Sequence, residues 1–184
     1  DNSIDTAKWD VWWGAGGKTP AEASGKLELG GTGQLSDPAS EVPQGLESVA
    51  EKQGGLPDKH SGVLIPSQGI YGLEAEFMVP SGTKFETGLN FLCFDLSDEG
   101  EVQQFGPELE YWEETGLVLE FSYTDPTTGQ KVQISRPAQF DTYYRMSLIH
   151  TETTNSMYLG NEKIVEFSSE GFTPDAYGFF AFND

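Results

Sequence analysis

The stretch "GLVLEFSY", residues 116–123, alternates without a break. Leu117, Leu119, Phe121 and Tyr123 fall on one side, and Val118, Glu120 and Ser122 on the other. Successive side chains of a strand point to opposite faces, so this period of two predicts a strand with one buried face. "GLEAEFMVP" (72–80) repeats the pattern, with Leu73, Ala75, Phe77 and Val79 inward and Glu74 and Glu76 outward. "YYRMSLIH" (143–150) and "KIVEFSS" (163–169) alternate more weakly, and "YGFFAF" (177–182) reads as a half-buried terminal strand. Turn chemistry separates the runs at Pro80-Ser81-Gly82, Asp125-Pro126 leading to Gly129, Gly160-Asn161 and Pro174-Asp175. About a dozen short strands spaced in this way predict an all-β, two-sheet antiparallel sandwich. Helix is expected at two places only: about two turns over 45–53 and one over 19–24.

The 184 residues make one domain with room for a substantial core. Residues 30 to 60 are rich in Gly, Pro, Ser and charge, and are too long for a hairpin loop. They are expected to form an excursion over one edge or face of the sandwich, where loops often shape binding sites.

Ten Lys+Arg stand against thirty Asp+Glu, a formal charge of -20. Such a surface repels nucleic acid and anionic membranes and favours cations and neutral ligands. No apolar run reaches transmembrane length. The first residue is Asp1 rather than Met, which is expected of a processed form or an excised domain. With Cys93 as the lone cysteine, an intrachain disulfide is impossible, and its apolar neighbours predict a buried, inert thiol.

Several motifs fail on spacing. "GGKT" (16–19) lacks the first glycine of a phosphate-binding loop, since that position is Trp12. His60 and His150 have no cysteine pair with which to build a zinc site. "DLSDEGE" (95–101) resembles a calcium loop, but Gly106 stands where its final glutamate belongs.

Chemistry concentrates in "FGPELEYWEET" (105–115), which holds four glutamates around Trp112. On a plain strand Glu108, Glu110, Trp112 and Glu114 share one face, and Leu109, Tyr111 and Glu113 the other. Only a bulge would swing Glu113 onto the first face. Pro107 is unwelcome in a central strand because it lacks a donor for the ladder. Sugar rings stack on exposed aromatics flanked by polar groups, which makes Trp112, Trp12 and Trp13 candidate platforms. Arg145 could pair with a glutamate of the 108–114 cluster.

The order of segments resembles the concanavalin A-like lectin/glucanase sandwiches. The resemblance rests on "DNSIDTAKWDVWWG" (1–14), "SGKLEL" (24–29), "FDTYYRMSLIHTETTNSMYLGNEKIVEF" (140–167) and "PDAYGFFAFND" (174–184). It implies a jelly-roll β-sandwich and, within that superfamily, two roles. One is an extracellular or cell-surface lectin-like module that binds a glycan through Trp112, Glu108, Glu110, Glu114, Arg145, Trp12 and Trp13. The other is a retaining hydrolase similar to glycoside hydrolase family 16, whose E-x-D-x-(x)-E motif "ELEYWE" matches with Glu110 in place of the middle Asp. That match implies Glu108 as nucleophile and Glu113 as acid/base. Recognition is the expected role and hydrolysis the alternative. The resemblance also implies a structural Ca²⁺ near the chain ends, with Asp5 and Asp184 as ligands. A third reading, from composition, is a calcium-dependent, self-associating subunit of an extracellular assembly.

Overall fold

The computed structural model describes residues 10–13, 21–23, 26–28, 60–67, 71–83, 87–95 and 103–183. Among the described residues, thirteen strands run in the order β1 (Asp10–Trp13), β2 (Ala21–Ala23), β3 (Lys26–Glu28), β4 (His60–Pro66), β5 (Gly72–Phe77), β6 (Thr87–Asp95) and β7 (Gln103–Trp112). They continue with β8 (Gly116–Thr124), β9 (Lys131–Pro137), β10 (Tyr144–His150), β11 (Thr154–Leu159), β12 (Glu162–Ser168) and β13 (Ala176–Asn183). A seven-stranded sheet has the order β1-β4-β13-β6-β7-β8-β9, and a four-stranded sheet the order β12-β11-β10-β5. β2 and β3 pair as a separate hairpin. All the pairings are antiparallel.

The core lies between the two larger sheets, and the alternation seen in the sequence explains why. From the seven-stranded sheet come Phe91, Cys93, Phe105, Leu109, Leu117, Leu119, Phe121, Tyr177 and Phe179. Phe77, Met146, Leu148, Met157 and Val165 meet them from the four-stranded sheet. Phe91 stacks on Phe179 with ring centroids 4.7 Å apart, and Phe77 reaches both rings across the interface. Cys93 is fully buried, and burial pushes its thiol pKa far up, so it packs as a hydrophobe. At the far edge Arg136 of β9 grips Glu162 of β12 with two hydrogen bonds, at 3.1 and 2.8 Å, tying one sheet to the other.

Three expectations are revised. Residues 21–23 form β2 rather than a helical turn, because their partner in the β2–β3 hairpin is only a few residues away. β13 is an interior strand between β4 and β6, and Tyr177 and Ala181 in it are almost wholly buried. Pro107 does sit in a central strand. The β6–β7 pairing lapses where Phe91 and Leu92 face Gly106 and Pro107, so the missing donor falls in that gap. The helix expected at 45–53 and most of the 30–60 excursion lie outside the described residues. Among the described residues, no helix is long and apolar enough to cross a membrane.

Candidate functional site

β7 lies between β6 and β8 and keeps one register against each neighbour, although its pairing with β6 lapses at Gly106 and Pro107. Phe105, Leu109 and Tyr111 therefore face the core, and Glu108, Glu110 and Trp112 the outer side of the seven-stranded sheet. Cross-strand pairing brings further polar residues to that side. Asn90 of β6 lies opposite Glu108, and Glu120 of β8 lies opposite it on the other flank. Glu120 is paired in turn with Ser135 of β9, and Ser122 of β8 with Gln133.

Hydrogen bonds organise this face. The Trp112 indole N–H donates to Glu110 Oε2 at 3.0 Å, and Ser122 Oγ donates to Glu108 Oε1 at 3.0 Å. Gln133 Nε2 donates to Glu120 Oε1 at 2.5 Å, and Ser135 Oγ to Glu120 Oε2 at 3.3 Å. The Glu108 carboxyl is pushed up to about 8, chiefly because burial disfavours its charge. A hydrogen bond with Glu110 and the proximity of that second carboxyl act in the same direction, while Ser122 and Lys131 oppose them. Near neutral pH the face therefore offers a neutral carboxylic acid beside a second carboxyl and an indole.

The remaining candidates are distributed elsewhere. Glu113 and Glu114 lie in the exposed turn that follows Trp112, and the regular register leaves no bulge to bring Glu113 back. The strand ends there because Gly116 takes φ 76°, a left-handed conformation that returns the chain into β8. Arg145 does not pair with the 108–114 cluster. It stands on the outer side of the other sheet, bonded to Asn161 Oδ1 at 2.7 Å and 3.6 Å from Glu74 Oε2. Trp12 and Trp13 belong to β1, at the edge of the seven-stranded sheet, with β4, β13 and β6 between them and β7. Asp5 and Asp184 lie outside the described residues. Among the described residues, no three His, Cys, Asp or Glu side chains gather as a metal site would require. Sequence reading missed Asn90, Glu120, Ser122, Gln133 and Ser135 as members of this face. The alternation of 116–123 had placed Glu120 and Ser122 on a polar side, but nothing local showed which strands would flank them.

Two packed antiparallel sheets with these glutamates on the outer side form a concanavalin A-like jelly-roll sandwich, and solved structures share it. The non-specific endo-β-1,3(4)-glucanase SCLam, of glycoside hydrolase family 16, superposes with a TM-score of 0.64 at 8% identity, over 100% of this chain and 77% of that one. LamAcat from Zobellia galactanivorans gives 0.58 at 10% identity, over 100% and 83%. The β-glucanase of Bacillus licheniformis gives 0.56 at 13% identity, over 99% and 82%. At such identities the likeness is one of fold. No protein-family model matches the chain, and no curated protein does.

Proposed function

We propose that the outer face of the seven-stranded sheet binds a neutral β-linked polysaccharide and hydrolyses it, in the manner of a retaining glycoside hydrolase. The Glu108–Glu110 pair carries this reading. Two neighbouring glutamates, one buried enough to hold its proton near neutrality, weaken a fold rather than support it, and such pairs gather at functional sites. Glycosidic cleavage uses such a setting, because the leaving oxygen must gain a proton while a carboxylate meets the anomeric carbon. Trp112 adds a flat apolar surface next to the pair, suited to the C–H face of a sugar. The glucanases that share the fold support a β-glucan as the substrate class.

The family motif implies Glu108 as nucleophile and Glu113 as acid/base, but a nucleophile must be ionised, so the proton that Glu108 holds near neutrality fits the acid's role and not the nucleophile's. Retaining hydrolysis needs the two carboxyls about 5 to 5.5 Å apart. Five strand residues span roughly 16 Å at about 3.3 Å each, so Glu113 could serve only if the 113–115 turn gave way to a bulge. That placement favours a second reading, glycan recognition without turnover on the same face. The extracellular setting and the structural calcium expected from the sequence belong to either reading.

The test is incubation with a panel of neutral β-glucans, followed by oligosaccharide analysis, with retention in glucan-containing gels measured in parallel. Hydrolysis predicts products from the wild type and a loss of about 100-fold or more in Glu108→Gln. Trp112→Ala should weaken retention about tenfold, near 1.4 kcal/mol. Retention without products would leave recognition standing, and neither retention nor products would end both readings.

A further inference from the structure

Asn90 lies directly across the β6–β7 ladder from Glu108, on the same outer face. Its Oδ1 is buried and has no hydrogen-bond partner among the described residues. A buried amide oxygen without a donor is costly and uncommon. Glu108 is the donor within reach of that side of the ladder. Ser122 Oγ already donates to its Oε1, so Oε2 is left to carry the proton of the neutral acid, which the hydrogen bond with Glu110 engages from one side only. Glu110 offers one acceptor from along the strand, and Asn90 offers another from across it.

We propose that Asn90 Oδ1 accepts a hydrogen bond from the neutral Glu108 carboxyl, which makes Asn90 a positioning residue that fixes the proton on Oε2. The Glu108 proton is then shared between Glu110 and Asn90, and the buried amide oxygen gains its donor. Among the described residues, the titratable and charged groups facing Glu108 are Glu110 on its own strand, Glu120 opposite on β8 and Lys131 on β9, while β6 contributes the uncharged Asn90. A bond made only by the neutral form raises the pH at which the acid ionises, so Asn90 works with burial and Glu110 and against Lys131. The functional meaning of this role rests on the proposed hydrolase reading of the face. Its test does not depend on turnover.

The experiment follows the side-chain carbonyl carbons of Asn90 and Glu108 by carbon NMR from pH 5 to 10. In the wild type both signals should move with one midpoint near 8, since ionisation of Glu108 removes the proton that Asn90 accepts. In Asn90→Val the Glu108 midpoint should fall by about one pH unit, the equivalent of one lost hydrogen bond. An Asn90 signal that stays flat while Glu108 titrates, or an unmoved midpoint in the variant, would overturn the assignment. Should Asn90→Val not fold, the wild-type titration decides alone. Linked titration in a chain that forms no products would sink the hydrolase reading and leave the Asn90 role intact.

Discussion

At the scale of single residues, Glu108 links the site to the stability of the fold. Its carboxyl ionises near 4.5 when exposed and near 8 in the folded chain. Between these values the folded state binds more protons than the unfolded state, so stability must fall as pH rises. The favourable contribution is complete below about pH 4.5 and is lost as pH climbs through 8. Its full size is on the order of a few kcal/mol. The wild type should therefore lose melting temperature from pH 5 to pH 9 more steeply than Glu108→Gln, and the variant should be the more stable of the two at pH 9. Parallel melting curves would mean that Glu108 is not held neutral by its surroundings. Much of this site was legible in the sequence, because the i, i+2, i+4 spacing of Glu108, Glu110 and Trp112 sets their shared face directly. Glu114 was misplaced by the same rule, since the rule holds only while the strand continues and the turn at Gly116 stops it at Trp112.

Among the elements, the crossing of β6 and β7 is the most demanding. A Cβ added at Gly106 would overlap the Phe91 carbonyl oxygen and lie 2.9 Å from both Leu92 Cα and Leu92 Cδ2. Two of those three atoms are backbone and cannot swing aside, so Gly106 is required by close approach. Pro107 beside it explains why the chains can come so near, because no N–H there has to be met by the neighbouring strand. Gly106→Ala should cost roughly 3 kcal/mol or more, read as a lower midpoint in chemical denaturation. A change under about 0.5 kcal/mol would show that the two strands can separate freely at this point. The dipeptide is visible in the sequence as "GP", which suggests a loop or a strand end. Only the pairing of β6 with β7 on one side and β8 on the other shows it as the centre of a sheet. Pairing between distant segments is also what hid Asn90 and the Glu120–Gln133–Ser135 group. The alternating runs, by contrast, revealed the buried faces of β5 and β8 residue by residue, because that information is local.

For the molecule as a whole, the charge of -20 bears on the proposed glycan reading, because it sets which polysaccharides could approach the Glu108 face. Among the described residues, Lys131 is the cation that acts on Glu108, and it only partly offsets Glu110. A glycan bearing carboxylates or sulfates would meet repulsion both from the whole surface and from the glutamates on the face. A neutral β-glucan would meet neither, and its affinity would rest on Trp112 and on hydrogen bonds, which salt hardly screens. The Debye length shrinks from about 30 Å at 0.01 M salt to about 8 Å at 0.15 M, so ionic strength separates the two cases. Retention of a neutral β-glucan should be nearly constant between these conditions. Its carboxymethylated derivative should bind more weakly at low salt and recover as salt is added. Tighter binding of the anionic derivative at 0.01 M would require a cation, either a metal ion or a basic patch, at the binding surface. That result would rule out Glu108, Glu110 and Trp112 as the proposed glycan site.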